Sequence, residues 1–336
     1  MVNFGFFKEN VDLLCCPKCQ KDIIFKDNGF ICNSCNNVYG FFDDIPSLFY
    51  KEEDRNAGDV ATDTVKSFYE ENPFPNYDNL SDGNSLTRRL NEGPFERLLD
   101  ASVPLEAKII ECGCGTGQLT NFLSLRGRSV IGTDICVNSL KLGQKFKEKA
   151  GIDGAHFLQM NLFYPAFKEN TFDLVISKGV LHHTADPKAG FRAISRLVKP
   201  GGYILIGLYH KYGRLITNFR QVIFKLTGER FYSLDPILGD KKISPLKKKI
   251  WLYDQYKHPR ESKHTLREVF GWLNDYGFSF VKSYPRFKLF GSPGVSKNAF
   301  LSEAPSHVLE ILFSEIAMST GGSKNGGFFV VIAKKK

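Results

Sequence analysis

From residue 107 onward, short apolar runs alternate with segments whose apolar residues recur every three or four positions, the pattern of strands separated by helices. AKIIECG (107–113) reads as a buried strand and TGQLTNFLSLRG (116–127) as a helix. RSVIGTDI (128–135), AHFLQMNLF (155–163), TFDLVISKGV (171–180) and YILIGLYH (203–210) read as further strands. Helices are predicted over NSLKLGQKFKEKAG (138–151) and AGFRAISRLVKPGG (189–202), the second stopping at its glycines. HTLREVFGWLNDYG (264–277) is a helix pattern ending on Gly277, followed by strands FSFVKSYP (278–285) and GGFFVVIAKKK (326–336). Strand–helix alternation with short connections implies an α/β fold with a doubly wound, mostly parallel seven-stranded sheet over 107–336. Two insertions, about 210–263 and 285–326, interrupt it as helical caps.

The first hundred residues follow another pattern. KEEDRNAGDVATD (51–63) is a polar linker, DTVKSFYEE (63–71) a helix ended by NPFPNYDN, and NSLTRRLNEGPFERLLDASV (84–103) one or two more helices, so 50–106 reads as linker and lid. Residues 11–49 read as a small self-contained module with short strands at DIIF and FIC. Cys16-x2-Cys19, twelve residues, then Cys32-x2-Cys35 supply four thiols on two knuckles, the tetrahedral zinc arrangement. About forty residues build too small a core alone, so a metal staple fits. Four thiolates leave no coordination position for water, which points to a structural ion and away from catalysis at the metal.

At 336 residues and 42% hydrophobic content the chain can bury a large core, and its length favours two domains. No stretch joins a basic flank, an apolar core and a small-residue cleavage site, and no apolar run reaches membrane-helix length, so a soluble, cytoplasmic protein is expected. The +9 net charge is concentrated in DKKISPLKKKIW (240–251), YKHPRESKH (256–264) and the terminal lysines, fitting a solvated surface, an acidic substrate, anionic lipid or nucleic acid.

Chemistry enters at Glu111-Cys112-Gly113-Cys114-Gly115-Thr116-Gly117. A strand delivers a glycine turn to a helix N-terminus, where backbone can approach a ligand. The dinucleotide fingerprint needs glycine at 118, which is Gln118. A carboxylate at Glu111 would repel a pyrophosphate and attract a sulfonium and an ammonium, so charge points to S-adenosylmethionine. Asp134, at the end of the next strand, can accept ribose hydroxyls or cap the following helix; Asn161, beside Met160, can meet an adenine edge or serve as a turn residue. Cys112 and Cys114 read as small packing residues of a crowded turn.

In the order E-x-G-x-G-x-G, G-x-D, M-N, F-D-x-V-x-S-x-x-x-L-H-H and L-V-K-P-G-G, residues 107–209 resemble the class I S-adenosylmethionine-dependent methyltransferases, Rossmann-like enzymes. The resemblance implies that Glu111, Gly113, Gly115 and Gly117 hold the methionine part of the cofactor, Asp134 the ribose, and Met160 and Asn161 the adenine, with Ile135 and Ser177 completing the cofactor-binding set. His182 and His183 are the proton-transfer candidates; adjacent side chains diverge, so one is expected to face the site while the other packs. Tyr69, Tyr209, Tyr212 and Arg214 are the substrate-side candidates, with His210, Arg220, Tyr253, Tyr256, His258, Arg260 and His264 behind them. The basic, aromatic insertion can also be an amphipathic helix with a solvated basic face. The N-terminal module resembles zinc ribbons that accompany methyltransferases. The expected activity is methyl transfer to O, N or C of a small or carrier-linked metabolite; the alternatives are an RNA methyltransferase using the ribbon and a non-catalytic binding protein, with a nicotinamide oxidoreductase as a third. The ribbon's three lysines and no arginine, and the absence of a base-methylation N/D-P-P-Y/F signature after the fourth strand, favour the metabolite. The oligomeric state is open.

Overall fold

The computed structural model describes residues 3–52, 57–71, 73–257, 260–285, 298–303 and 327–336, with Ile311 and Glu315. His258 and most of the second insertion lie outside the described residues. A short helix, α1 (Asn3–Glu9), leads into the cysteine module. Its antiparallel strands are β1 (Ile24–Lys26), β2 (Gly29–Ile31) and β3 (Val38–Tyr39), and a hairpin of β4 (Phe41–Phe42) and β5 (Ile45–Pro46) follows. Asp27 and Asn28 turn the first hairpin with positive φ, as expected of Asx residues between strands.

The module is not self-contained, contrary to the sequence expectation. Phe7, Leu14, Ile23, Phe30, Tyr39 and Leu48 belong to one buried cluster with Met160, Leu162, Phe167 and Phe172 of the main fold. Backbone bonds tie the two together: the Cys15 N–H donates to Ala166, Lys168 to Leu13, and Leu48 to Gln159. The module's own apolar residues are too few to close a core, so they borrow one.

Three helices precede the sheet: α2 (Ala57–Glu71), α3 (Gly83–Asn91) and α4 (Pro94–Ser102). The Asp82 carboxylate and the Ser85 hydroxyl form a capping box on α3. Buried Arg128 satisfies the end of α4, donating to the Asp100 and Val103 carbonyls and to the Asp100 carboxylate at 2.6 Å.

The alternating half follows as β6 (Ile109–Cys112), α5 (Gln118–Ser124), β7 (Val130–Asp134), α6 (Val137–Ala150), β8 (Ala155–Gln159), β9 (Phe172–Lys178), α7 (Pro187–Ser195) and β10 (Val198–Tyr209). Cap helices α8 (Leu215–Thr227), α9 (Pro236–Gly239) and α10 (Pro245–Tyr256) come next, then α11 (Leu266–Asp275), β11 (Phe278–Tyr284) and β12 (Phe328–Lys335). The seven strands β6 to β12 stand in the order β11-β12-β10-β9-β6-β7-β8. β6 to β10 are parallel, and β12 runs antiparallel between β10 and β11. This is the doubly wound, mostly parallel seven-stranded sheet that the pattern implies, in the Rossmann-like form that the resemblance implies. Two boundaries differ: α2 begins at Ala57, inside the stretch expected as linker, and α7 stops at Ser195, where Leu197-Val198-Lys199-Pro200 already leads into β10, whose register shifts between Val198 and Tyr203. Pro200 cannot continue a helix, and the run bulges into the strand instead.

Strand order reverses between β6 and β9, so the crevice at their carboxyl ends is where such a sheet offers a ligand site. No helix among the described residues is long and apolar enough to cross a membrane.

Candidate active site

The crevice opens into a cavity of about 550 Å³. Glu111, Gly113, Gly115, Asp134, Ile135, Met160 and Asn161 line the strand-tip end, where the Phe74 carbonyl also meets Gly115; Trp251 and Gln255 of cap helix α10 line the cap end, with Tyr69, Leu90, Phe328, His182, His183 and Tyr209 also on the wall.

At the first end the turn after β6 is tight. Gly113, Gly115 and Gly117 all have positive φ. A Cβ on Gly113 would lie 2.5 Å from the Val180 methyls, and one on Gly115 would run into the Phe74 carbonyl. Gly117 is not on the cavity wall; it begins α5, where a Cβ would strike the Phe157 ring. Two carboxylates flank the turn. Glu111 accepts from the Thr120 hydroxyl at 2.6 Å, and burial pushes its pKa up from 4.5 to about 7. Asp134 accepts the Gly115 N–H at 2.8 Å and the Cys136 N–H at 2.9 Å, and burial lifts it from 3.8 to about 6 in spite of those bonds. Its hydrogen bonds thus fix the glycine turn and the start of α6 at once. Two buried carboxyl groups that are costly to ionise alone offer acceptor oxygens to a cationic group and to hydroxyls.

Asn161 behaves as a turn residue: its Oδ1 accepts the Phe163 N–H, and its Nδ2 donates to the Tyr50 carbonyl just past the cysteine module. Ser47 donates to the Gln159 side chain at 2.6 Å, so the module's tail braces the end of β8 beside Met160. Ser177 is buried within β9 and off the cavity wall, whereas the next residue, Lys178, reaches it and pairs with Glu96 of α4. Side chains alternate along a strand, so of these two neighbours one faces the cavity and the other packs.

Both histidines line the cavity, which corrects the expectation that one packs away. Their ring centroids are 4.1 Å apart, and His182 lies 4.4 Å from the Tyr209 ring. They sit in a 3-10 turn, not a strand, so alternation does not separate them. His183 Nδ1 is 2.8 Å from the Arg260 carbonyl, which can only accept; Nδ1 therefore carries the proton and Nε2 the lone pair. Burial pulls the His183 pKa down to about 4 and keeps the ring neutral.

Of the substrate-side set, Tyr69 and Tyr209 face the cavity; Tyr212 and Arg214 do not. Tyr212 is exposed, edge-on to His210. Arg214 is buried behind the wall, its guanidinium 3.9 Å from the Tyr209 ring and bonded to Gln255 and Glu261. Gln255 in turn donates to the Tyr209 hydroxyl at 2.7 Å. Arg260 donates to the Thr184 and Ala185 carbonyls, so it straps the histidine turn from outside. Arg220 faces Asp235, which also accepts from the Tyr256 hydroxyl. Trp251 and Gln255, four residues apart on α10, reach the cavity and were absent from the sequence candidates.

The Sγ atoms of Cys16, Cys19, Cys32 and Cys35 all lie within 4.8 Å of one another. That clustering fits one tetrahedral ion such as zinc.

Residues 110–206 match the methyltransferase domain family. The chain is 29% identical over 224 residues to an uncharacterized protein of Synechococcus sp., covering 58% of this chain and 54% of that one. It is 30% identical over 117 residues to a ubiquinone biosynthesis O-methyltransferase of Paracidovorax citrulli, covering 34% and 48%. It thus spans about half the length of these relatives. The solved structure of PKMT2 from Rickettsia typhi superposes with a TM-score of 0.52 at 15% identity, over 75% of this chain and 52% of that one, a likeness of fold.

Proposed function

We propose, for a chain whose residues 110–206 form a methyltransferase domain, that it moves a methyl group from S-adenosylmethionine to a small or carrier-linked acceptor held under the helical cap. The observation that carries this reading is the pair of buried carboxylates, Glu111 and Asp134, on neighbouring strand tips around a glycine turn with no room for a Cβ. A cationic ligand relieves the cost of ionising Glu111, and ribose hydroxyls can donate to Asp134. Pyrophosphate between two acids would be repelled, which disfavours a nicotinamide cofactor.

Bound there, S-adenosylmethionine supplies an activated methyl on a good leaving group. The chain's own residues then have to exclude water and align the acceptor. Val180, Leu162, Phe163, Phe328 and Trp251 give that region an apolar wall. His183, neutral with its lone pair on Nε2, can accept a hydrogen bond from an acceptor hydroxyl and orient it, while its depressed pKa makes it a weak base. The names of curated relatives support oxygen as the methylated atom, and the apolar wall supports a metabolite over RNA. Cys16, Cys19, Cys32 and Cys35 would hold a structural zinc ion whose module braces β8.

Isothermal titration tests this reading. Wild-type protein is expected to bind S-adenosylmethionine and S-adenosylhomocysteine and to ignore NAD, and Asp134→Ala is expected to weaken both by about 10- to 100-fold, the loss of charge-assisted hydrogen bonds. No binding of either ligand by the wild type, or binding of NAD in their place, would overturn it.

A further inference from the structure

Helix α8 has its polarity inverted for a helix on a water-facing cap. Leu215, Phe219, Val222 and Leu226 fall at i, i+4, i+7 and i+11, which is one stripe of a helix. They are 53%, 67%, 54% and 81% exposed. The opposite side carries buried Thr217 and Phe224, Arg220 turned to Asp235, and Gln221 donating to the Tyr256 carbonyl. Polar groups are spent inward and large apolar ones face out, so the solvated basic face expected from the sequence is not what this helix presents. The turn packed against it adds Phe231 and Leu234, each 47% exposed.

Charge says what covers the stripe. Residues 211–257 hold eleven Lys and Arg against four Asp and Glu, a net +7 of the chain's +9. Lys211, Lys225, Arg230, Lys241, Lys242 and Lys249 are exposed, and Asp240 is the exposed acid among the described side chains of that segment. A solvent-exposed apolar stripe on a segment of strongly basic net charge is the form that lies in a lipid headgroup layer. A second copy would bring two such positive caps face to face, which repulsion opposes.

We propose that the α8 cap docks on an anionic membrane surface, with Leu215, Phe219, Val222 and Leu226 entering the interface and exposed lysines and arginines of residues 211–257 meeting lipid phosphates. The docking does not depend on the methyl-transfer reading. Because Arg214, at the start of α8, bonds Gln255 of the cavity wall, the docked face is joined to the site by one side chain.

The test is sedimentation of the full-length, zinc-loaded protein with phosphatidylcholine vesicles, plain or containing about one third phosphatidylglycerol. Wild type should partition onto the anionic vesicles about tenfold or more strongly than onto the neutral ones, with the difference shrinking as salt rises. Phe219→Glu with Leu226→Glu should reduce partition about tenfold or more at unchanged zinc content and Tm. Phe219→Ser with Leu226→Ser serves where the glutamates disturb folding. Lys241→Glu with Lys242→Glu should erase most of the preference for anionic lipid. Wild type that ignores anionic vesicles, apolar-stripe variants that bind like wild type, or light scattering that shows a dimer dissociated by Leu226→Glu would each overturn the proposal.

Discussion

The two ends of the cavity are held by different means. At the strand-tip end, position is set largely by backbone: the Gly113 and Cys114 N–H groups both bond the Thr133 carbonyl and the Met160 N–H bonds the Asp134 carbonyl, with the Asp134 carboxylate adding a bond from the Gly115 N–H. At the cap end, position is set by long side chains reaching between elements: Arg214 to Gln255 and Glu261, and Gln255 to Tyr209. Backbone-held geometry follows from the sheet register and changes little when a side chain is exchanged. Side-chain-held geometry depends on a few pairs and can be redrawn by substitution, which suits the part of a site that would choose among acceptors.

Substitutions at each end should therefore have separable readouts. Gly113→Val is expected to be the most severe: the residue has φ +78°, and the new Cβ would sit 2.5 Å from the Val180 methyls. Strain and overpacking together cost roughly 3 kcal/mol or more, seen as a lower Tm and cofactor affinity reduced by over about 100-fold. Wild-type affinity in this variant would show that the turn is not the cofactor cradle. Arg214→Ala leaves Glu261 partly buried without its guanidinium and removes the cation from the Tyr209 face. A loss of about 3 kcal/mol of cap stability is expected. Its signature is a raised KM for the acceptor with cofactor affinity changed less than about twofold, since backbone holds the other end. Equal damage to both constants would erase the distinction between the ends.

This difference also explains what could be read in the sequence. Glu111, Gly113, Gly115 and Asp134 were legible because a strand tip, a positive-φ turn and a helix start leave marks at fixed spacing, and the sheet followed from the same alternation. Arg214, Trp251 and Gln255 could be sorted only by knowing which face of α8 or α10 turns inward, and α8 turns its polar side in. Ser177 and Lys178 are adjacent on β9, and only the point where the strand leaves the sheet decides which of them meets the cavity. The cysteine spacing disclosed a four-thiol cluster but not that the module shares a core with β8 and the loop beyond it. Contacts over a hundred residues apart, such as Ser47 with Gln159, leave no periodic trace.

The smallest effect is a pH dependence confined to the strand-tip end. Glu111 titrates near 7 in the folded protein against an ordinary 4.5, and Asp134 near 6 against 3.8, both raised by burial. For a raised acid, stability is fully present below the unfolded value and is lost as pH rises through the folded one. The free protein should thus become less stable between about pH 4.5 and 7, within the window those two groups span. Affinity for a cationic ligand runs the other way, because the ligand prefers ionised Glu111: it should strengthen by up to about tenfold per pH unit below 7 and level off above. Titration calorimetry with S-adenosylmethionine from pH 5.5 to 8, paired with Tm over the same range, checks both slopes. Glu111→Gln should flatten the part of each that centres near 7, and acceptor KM measured at saturating cofactor should not follow that slope. An unaltered slope in Glu111→Gln would move the titrating group away from Glu111 and, with it, the reason for placing the positive charge at this end of the cavity.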